Sequence, residues 1–183
     1  MTEFTIHSSN QAPPPSQAML AAVQGKYGFV PNLFGALAEA PSTLEAYMAL
    51  GSALEKSSLS LAEQQLVLIA ISVENSCEYC VAAYSLVAKH KLKIDAAVVD
   101  ALRNKSHIHD DKLQALAEFT RAVVINRGVV NGQPLDDFLA AGYTKQQVLE
   151  VILGVAMKTL SNYVNHLMVI PLDEAFKPEV WRK

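Results

Sequence analysis

The chain has 183 residues and a mass of 19.9 kDa, the size of one ordinary domain, with 51% of its residues hydrophobic and 18% charged. That balance supplies a large core, excludes global disorder, and leaves apolar surface for a subunit interface. Lys and Arg total 15 against 18 Asp and Glu, so the net charge of -3 and the pI near 5.9 argue against a nucleic-acid binder.

Residues 1–15 are polar, end in Pro13-Pro14-Pro15 and read as an extended arm, followed by one domain over residues 16–183. The arm has neither the basic start nor the apolar run of a signal peptide, and no stretch reaches membrane-spanning length. A cytoplasmic protein with no membrane association is expected.

From Ser16 the apolar pattern is helical throughout. A first helix runs over about Ser16 to Tyr27, broken by Gly28 and Pro31, and Asn32 caps a short one through Ala40. Pro41 starts a third, with Leu44, Tyr47, Met48, Gly51 and Leu54 at helical spacing. Ser60-Leu61-Ala62-Glu63 is a capping box, and the helix it opens is apolar nearly all round from Leu66 to Val73, as a central helix would be.

Asn75 and Ser76 interrupt the pattern, and the next helix carries two cysteines at its beginning and continues to Leu92. Asp95 caps Ala96 to Arg103, and Asp110 or Asp111 caps Lys112 to Asn126. Leu135 to Ala141 form a short helix, and Thr144 caps the longest, from Lys145 to about Val169, before Pro171. No alternating run is long enough for a strand. The expected fold class is all-α.

The two cysteines, Cys77 and Cys80, form the pattern C-x-x-C. In a reducing compartment such a pair points to a metal half-site or a redox centre more than to a structural staple. Zinc needs two further ligands, and no second C-x-x-C exists; His107 and His109 form an H-x-H in a polar loop. A thioredoxin fold would set the motif after a strand, which is missing here. Two buried small hydrophobes are the bland alternative.

Residues three apart on a helix lie about 5–6 Å apart at Cβ, and a disulfide wants about 3.8 Å, so the bond is feasible if Cys77 sits at or before the helix start. There the unpaired N–H groups and the dipole favour a thiolate, which can attack an oxidant and be resolved by its neighbour. No metal or cofactor is expected.

The segment Leu61 to Tyr84, with Glu63 opening an apolar helix that ends in Asn-Ser-Cys-Glu-Tyr-Cys-Val-Ala-Ala, resembles the alkylhydroperoxidase D-like (AhpD-like) branch of the carboxymuconolactone decarboxylase family. Gly28-Phe29-Val30-Pro31-Asn32, Pro41 through Tyr47, Leu160 through His166 and Pro171 through Phe176 also resemble it. The resemblance implies an all-helical homo-oligomer, a trimer or larger, that reduces hydroperoxides. It assigns attack to Cys80 and resolution to Cys77, with a lipoyl-bearing or thioredoxin-like protein as reductant.

Two positions depart from the pattern that the resemblance implies. The proton-relay histidine four residues after the second cysteine is Tyr84 here, and the relay carboxylate twelve residues before the first is Gln65. Tyrosine is a poor base near neutral pH. Thiol activation is therefore expected to rest on the helix terminus, with slow turnover. Glu63, Glu74 and His166 are further candidates for a relay. Glu74 reads equally as helix surface, and His166, on an apolar face with Tyr163 and Met157, equally as a core or interface histidine. Tyr79 reads as packing.

Three functions fit: a hydroperoxide reductase, a redox sensor or binding protein without turnover, and a carboxymuconolactone decarboxylase-like enzyme. The third works by proton transfer and has no need of a C-x-x-C.

Overall fold

The structure, a computed structural model that describes residues 4–183, contains nine α-helices and no strand among the described residues. Pro14 and Pro15 occupy the first turn of α1 (Pro14–Tyr27), where a missing N–H is harmless, so the helix starts earlier than the expected Ser16. Gly28 ends it in the left-handed conformation at φ 85°.

The chain ahead of α1 is tied to α2 (Asn32–Leu37), for the His7 N–H donates to the Gly35 carbonyl at 3.1 Å. A Cβ on Gly35 would lie 2.7 Å from the His7 carbonyl oxygen, so this approach requires glycine. The first three residues of the expected arm lie outside the described residues.

Helix α3 (Pro41–Glu55) is followed by α4 (Leu61–Glu74), opened by the expected capping box. The Ser60 hydroxyl accepts from the Glu63 N–H, and the Glu63 carboxylate accepts from the Ser60 N–H. Every residue of α4 from Leu66 to Val73 is buried, which makes it the central helix. It packs against α7 (Asp111–Ile125) and α6 (Ala96–Asn104) on one side, and against α5 (Glu78–Leu86) and α9 (Lys145–Met168) on the other.

A wider π turn, Val87–Lys91, extends α5, and α8 (Gln133–Ala140) lies on α7. The expected caps Asp95, Asp110 and Thr144 each accept from a backbone N–H of the helix they start.

The core has two halves. Phe119, Phe138 and Tyr143 stack in one, with successive ring centres 4.4 Å apart. The other, between α2, α3, α5 and α9, contains Leu33, Leu37, Tyr47, Leu68, Met157 and both cysteines.

A 3₁₀ turn, Glu174–Glu179, that the sequence pattern did not indicate packs on α5. Glu179 anchors it through Lys89, His90 and Arg103. None of the helices is long and apolar enough to cross a membrane among the described residues.

Candidate active site

The turn between α4 and α5 sets the cysteine geometry. After Asn75, Ser76 adopts a left-handed backbone (φ 58°), and Cys77 returns to the extended region as the residue preceding α5. Its N–H donates to the Ser72 carbonyl at 2.9 Å, and its carbonyl accepts from Val81 at 3.0 Å. Cys80 thus lies in the first turn of α5, where the unpaired N–H groups are. Both are free thiols and each is 1% exposed.

A polar stripe of α9 faces them. The Asn165 amide donates to the Cys80 sulfur at 3.4 Å and to the Ser161 carbonyl at 2.8 Å. Asn162 accepts from the Asn75 side chain at 2.9 Å, which ties the stripe to the α4–α5 turn. Lys158 is fully buried, and its ammonium lies 4.3 Å from the centre of the Tyr84 ring, a cation–π contact.

Glycine brings the stripe close. A Cβ on Gly154 would lie 2.9 Å from Val67 Cγ1, so α9 meets α4 at a distance only glycine allows, one turn before Lys158.

The electrostatics separate the two thiols. Burial alone would raise the pKa of Cys80, but the Cys77 thiol directed at its sulfur and the positive charge of Lys158 overcome this and bring it down to about 5. Cys77 moves up, through its hydrogen bond to Cys80 and its own burial. The pair therefore divides into a thiolate at Cys80 and a protonated thiol at Cys77. Burial and the neighbouring Cys80 charge push the Tyr84 hydroxyl up, so it stays neutral near pH 7.

Of the relay candidates, Tyr84 stands near the thiolate. Its hydroxyl lies 3.3 Å from that of Tyr47, and its ring face cradles Lys158, so it holds a cation and is no base. The Gln65 Oε1 is buried without a hydrogen-bond partner.

Glu63 is occupied by the cap of α4, by Tyr143 and by Lys112 at 3.6 Å; the thiols lie past the other end of that helix. Glu74 is paired with Lys105 at 2.7 Å and with Arg121 at 3.6 Å, which makes it neither an acceptor for the thiols nor plain helix surface. His166 is exposed. It shares no face with Met157, because nine residues at about 100° each put the two on opposite sides of α9. His166 is therefore no core histidine; it lies among the exposed apolar residues of α9, where an interface histidine would lie.

Tyr79 does more than pack. Its hydroxyl donates to Asp173 at 2.5 Å and accepts from the Leu33 N–H at 3.3 Å, and its ring meets Phe176 edge-on. Asp173 also accepts from the Asn32 N–H at 3.2 Å. Asn32 is therefore the first residue of α2 and not its cap, since its side chain donates to the Pro171 carbonyl. A depression of about 450 Å³ lined by Phe29, Asn32, Leu172 and Asp173 lies over this junction. No group of three or more His, Cys, Asp or Glu is placed to hold a metal ion among the described residues.

Lys158, Ser161 and Asn165 are the site residues that the sequence reading missed. Their signal is a polar row, with Asn162, at spacings of three and four in an otherwise apolar helix.

Residues 41–122 match the model of the carboxymuconolactone decarboxylase family, a stretch that includes both cysteines and excludes α9. A comparison with curated protein sequences finds no match. Among solved structures, the chain is similar to an alkylhydroperoxidase AhpD core protein, described as an uncharacterized peroxidase-related protein, from Ralstonia eutropha. The TM-score is 0.82 at 24% identity, over 96% of each chain. A peroxidase-related protein from a Silicibacter species superposes with a TM-score of 0.80 at 19% identity, over 96% of this chain and 95% of that one.

The debrominase Bmp8 superposes with a TM-score of 0.81 at 17% identity, over 98% of this chain and 96% of its own. A cysteine-to-alanine variant of that enzyme is known in complex with 2,3,4-tribromopyrrole. The segment that holds Cys77 and Cys80 thus resembles the carboxymuconolactone decarboxylase family, and nearly the whole length of the chain has the AhpD-like fold.

Proposed function

We propose that the protein is a thiol-dependent hydroperoxide reductase that cycles Cys80 and Cys77 between dithiol and disulfide. The observation that carries the reading is the placement of the pair: Cys80 in the first turn of α5, accepting from the Asn165 amide, with Cys77 just before the helix, an arrangement that lowers the Cys80 thiol and raises that of Cys77.

The Cys80 thiolate attacks the terminal oxygen of ROOH, breaking the O–O bond to give a sulfenic acid and, after protonation of the alkoxide, ROH. Cys77 then attacks the Cys80 sulfur, forming the disulfide and releasing water. A lipoyl-bearing or thioredoxin-like protein returns two electrons and two protons. The cysteines are 1% exposed, so substrate and reductant reach them only when side chains above them move. That favours a slow enzyme.

The protein acts as a homo-oligomer in this reading. Leu149, Ile152, Tyr163, Leu167 and Val169, on and just beyond α9, are all at least 40% exposed, an apolar surface of the kind subunits bury. The cytoplasm, where thiols are kept reduced, is the fitting compartment.

A second reading draws on the fold shared with a debrominase. A thiolate can take bromine from a carbon that is protonated in its place, and Cys77 would then release bromide as the disulfide forms.

The test offers tert-butyl hydroperoxide in excess with lipoyl and thioredoxin reductants separately. Many equivalents consumed per chain support the reductase. One equivalent alone supports a sensor, and none, with bromide released from a bromopyrrole, supports the second reading.

A further inference from the structure

Lys158 is 0% exposed, and its ammonium has no hydrogen-bond partner among the described residues. The titratable groups that face it are Cys77, Cys80 and Tyr84 from the α5 side and Tyr47 from α3. Burial keeps both tyrosines protonated, and Cys77 holds its proton. The Cys80 thiolate is therefore the one anion facing the lysine. The pair is neutral as a unit, and only in the reduced protein.

Disulfide formation removes that anion. An ammonium left alone in an apolar interior is strongly disfavoured, and lysines so buried titrate as low as about 5–6. The Tyr84 ring, 4.3 Å from the ammonium, offsets part of this and leaves the remainder.

We propose that Lys158 is the proton carrier of the dithiol cycle: it gives up its proton as Cys80 is oxidised and takes one back on reduction. In the hydroperoxide reaction proposed above, on which this step rests for its acceptor, the proton goes to the departing alkoxide. The balance closes. Cys77–SH, Cys80–S⁻, Lys158–NH₃⁺ and ROOH become the disulfide, Lys158–NH₂, ROH and water, with no charge or proton left over. A fully buried group that donates a proton on oxidation and accepts one on reduction thus serves where Tyr84 and Gln65 supply no relay.

The test is an equilibrium with dithiothreitol, whose own thiols stay protonated below about pH 7.5. If Lys158 regains a proton on reduction, wild-type protein takes up two protons with two electrons. Its equilibrium with dithiothreitol is then flat from about pH 6 to 7.5, while thiolate absorbance near 240 nm persists in the reduced form.

Lys158→Arg stays charged in both states, so the same equilibrium should shift toward reduced protein about tenfold per pH unit. A tenfold slope in the wild type itself would show that Lys158 keeps its proton and would overturn the proposal. So would a flat wild-type line without thiolate absorbance. Neither outcome depends on the variant folding. A flat line with thiolate present, in a protein inert to every hydroperoxide, would sustain the proton carrier and sink the reductase reading.

Discussion

The side-chain amide of Asn165 donates to the sulfur of Cys80 at 3.4 Å, joining the last long helix to the first turn of the cysteine helix. This contact and the Lys158 ammonium make α9 part of the thiol site, although the family segment ends at residue 122. Activation of Cys80 then has two sources, the start of α5 and the cationic face of α9.

Cys80 is the acidic thiol of the pair. Its thiolate should appear as pH rises through about 5, so alkylation by iodoacetamide should climb there and level off above about pH 6. In Lys158→Met the loss of the positive charge should move this rise to higher pH. Absorbance at 240 nm against pH, with Cys77 in place because its thiol helps to lower Cys80, reads the shift directly.

The residues that only surround the site should behave differently. His166→Ala should change the thiol alkylation rate by less than about twofold, because an exposed side chain here faces away from Cys80. Glu74→Gln should likewise spare the rate, yet lower stability by about 1–3 kcal/mol through loss of a largely buried charge between Lys105 and Arg121. Alkylation and urea unfolding of the same two proteins separate the effects.

Much of this was legible in the sequence, and the misses share a cause. Capping boxes at Ser60 and Thr144 use local hydrogen bonds, so their helices were placed at the residue. The C-x-x-C position before α5 followed from Asn75-Ser76. Lys158 could not be assigned to Cys80 from spacing, because the two lie 78 positions apart and the packing of α9 against α3 and α4 brings them together. The core reading of His166 fails for a related reason, while its interface reading falls on the outer face of α9. Apolar residues surround it in sequence, but α9 keeps an apolar outer face, so apolarity there did not mean burial.

Tyr79 connects the cysteine helix to the C-terminal strap. Tyr79→Phe removes its hydrogen bond to Asp173, which should reduce stability by about 1.5–3 kcal/mol, the range for bonds to charged groups. Because Tyr79 lies between the cysteines, alkylation of native protein should also accelerate. Unchanged alkylation in a destabilised variant would show that the strap does not control access.

Subunit association is testable on the outer face of α9. Wild-type protein should scatter light as a species well above the 19.9 kDa chain, and the double change Leu149→Glu with Leu167→Glu should shift it toward the monomer. A wild-type monomer at micromolar concentration would remove the homo-oligomer from the account.

The division of labour between the thiols is the centre of the account, and sulfenic acid trapping tests it most directly. One equivalent of tert-butyl hydroperoxide is added to Cys77→Ser and, separately, to Cys80→Ser, each with dimedone, and the adducts are located by tandem mass spectrometry. Rapid labelling is expected at Cys80 in the first protein and at most slow labelling at Cys77 in the second. Faster labelling at Cys77, or no adduct in either protein, would contradict that division of labour.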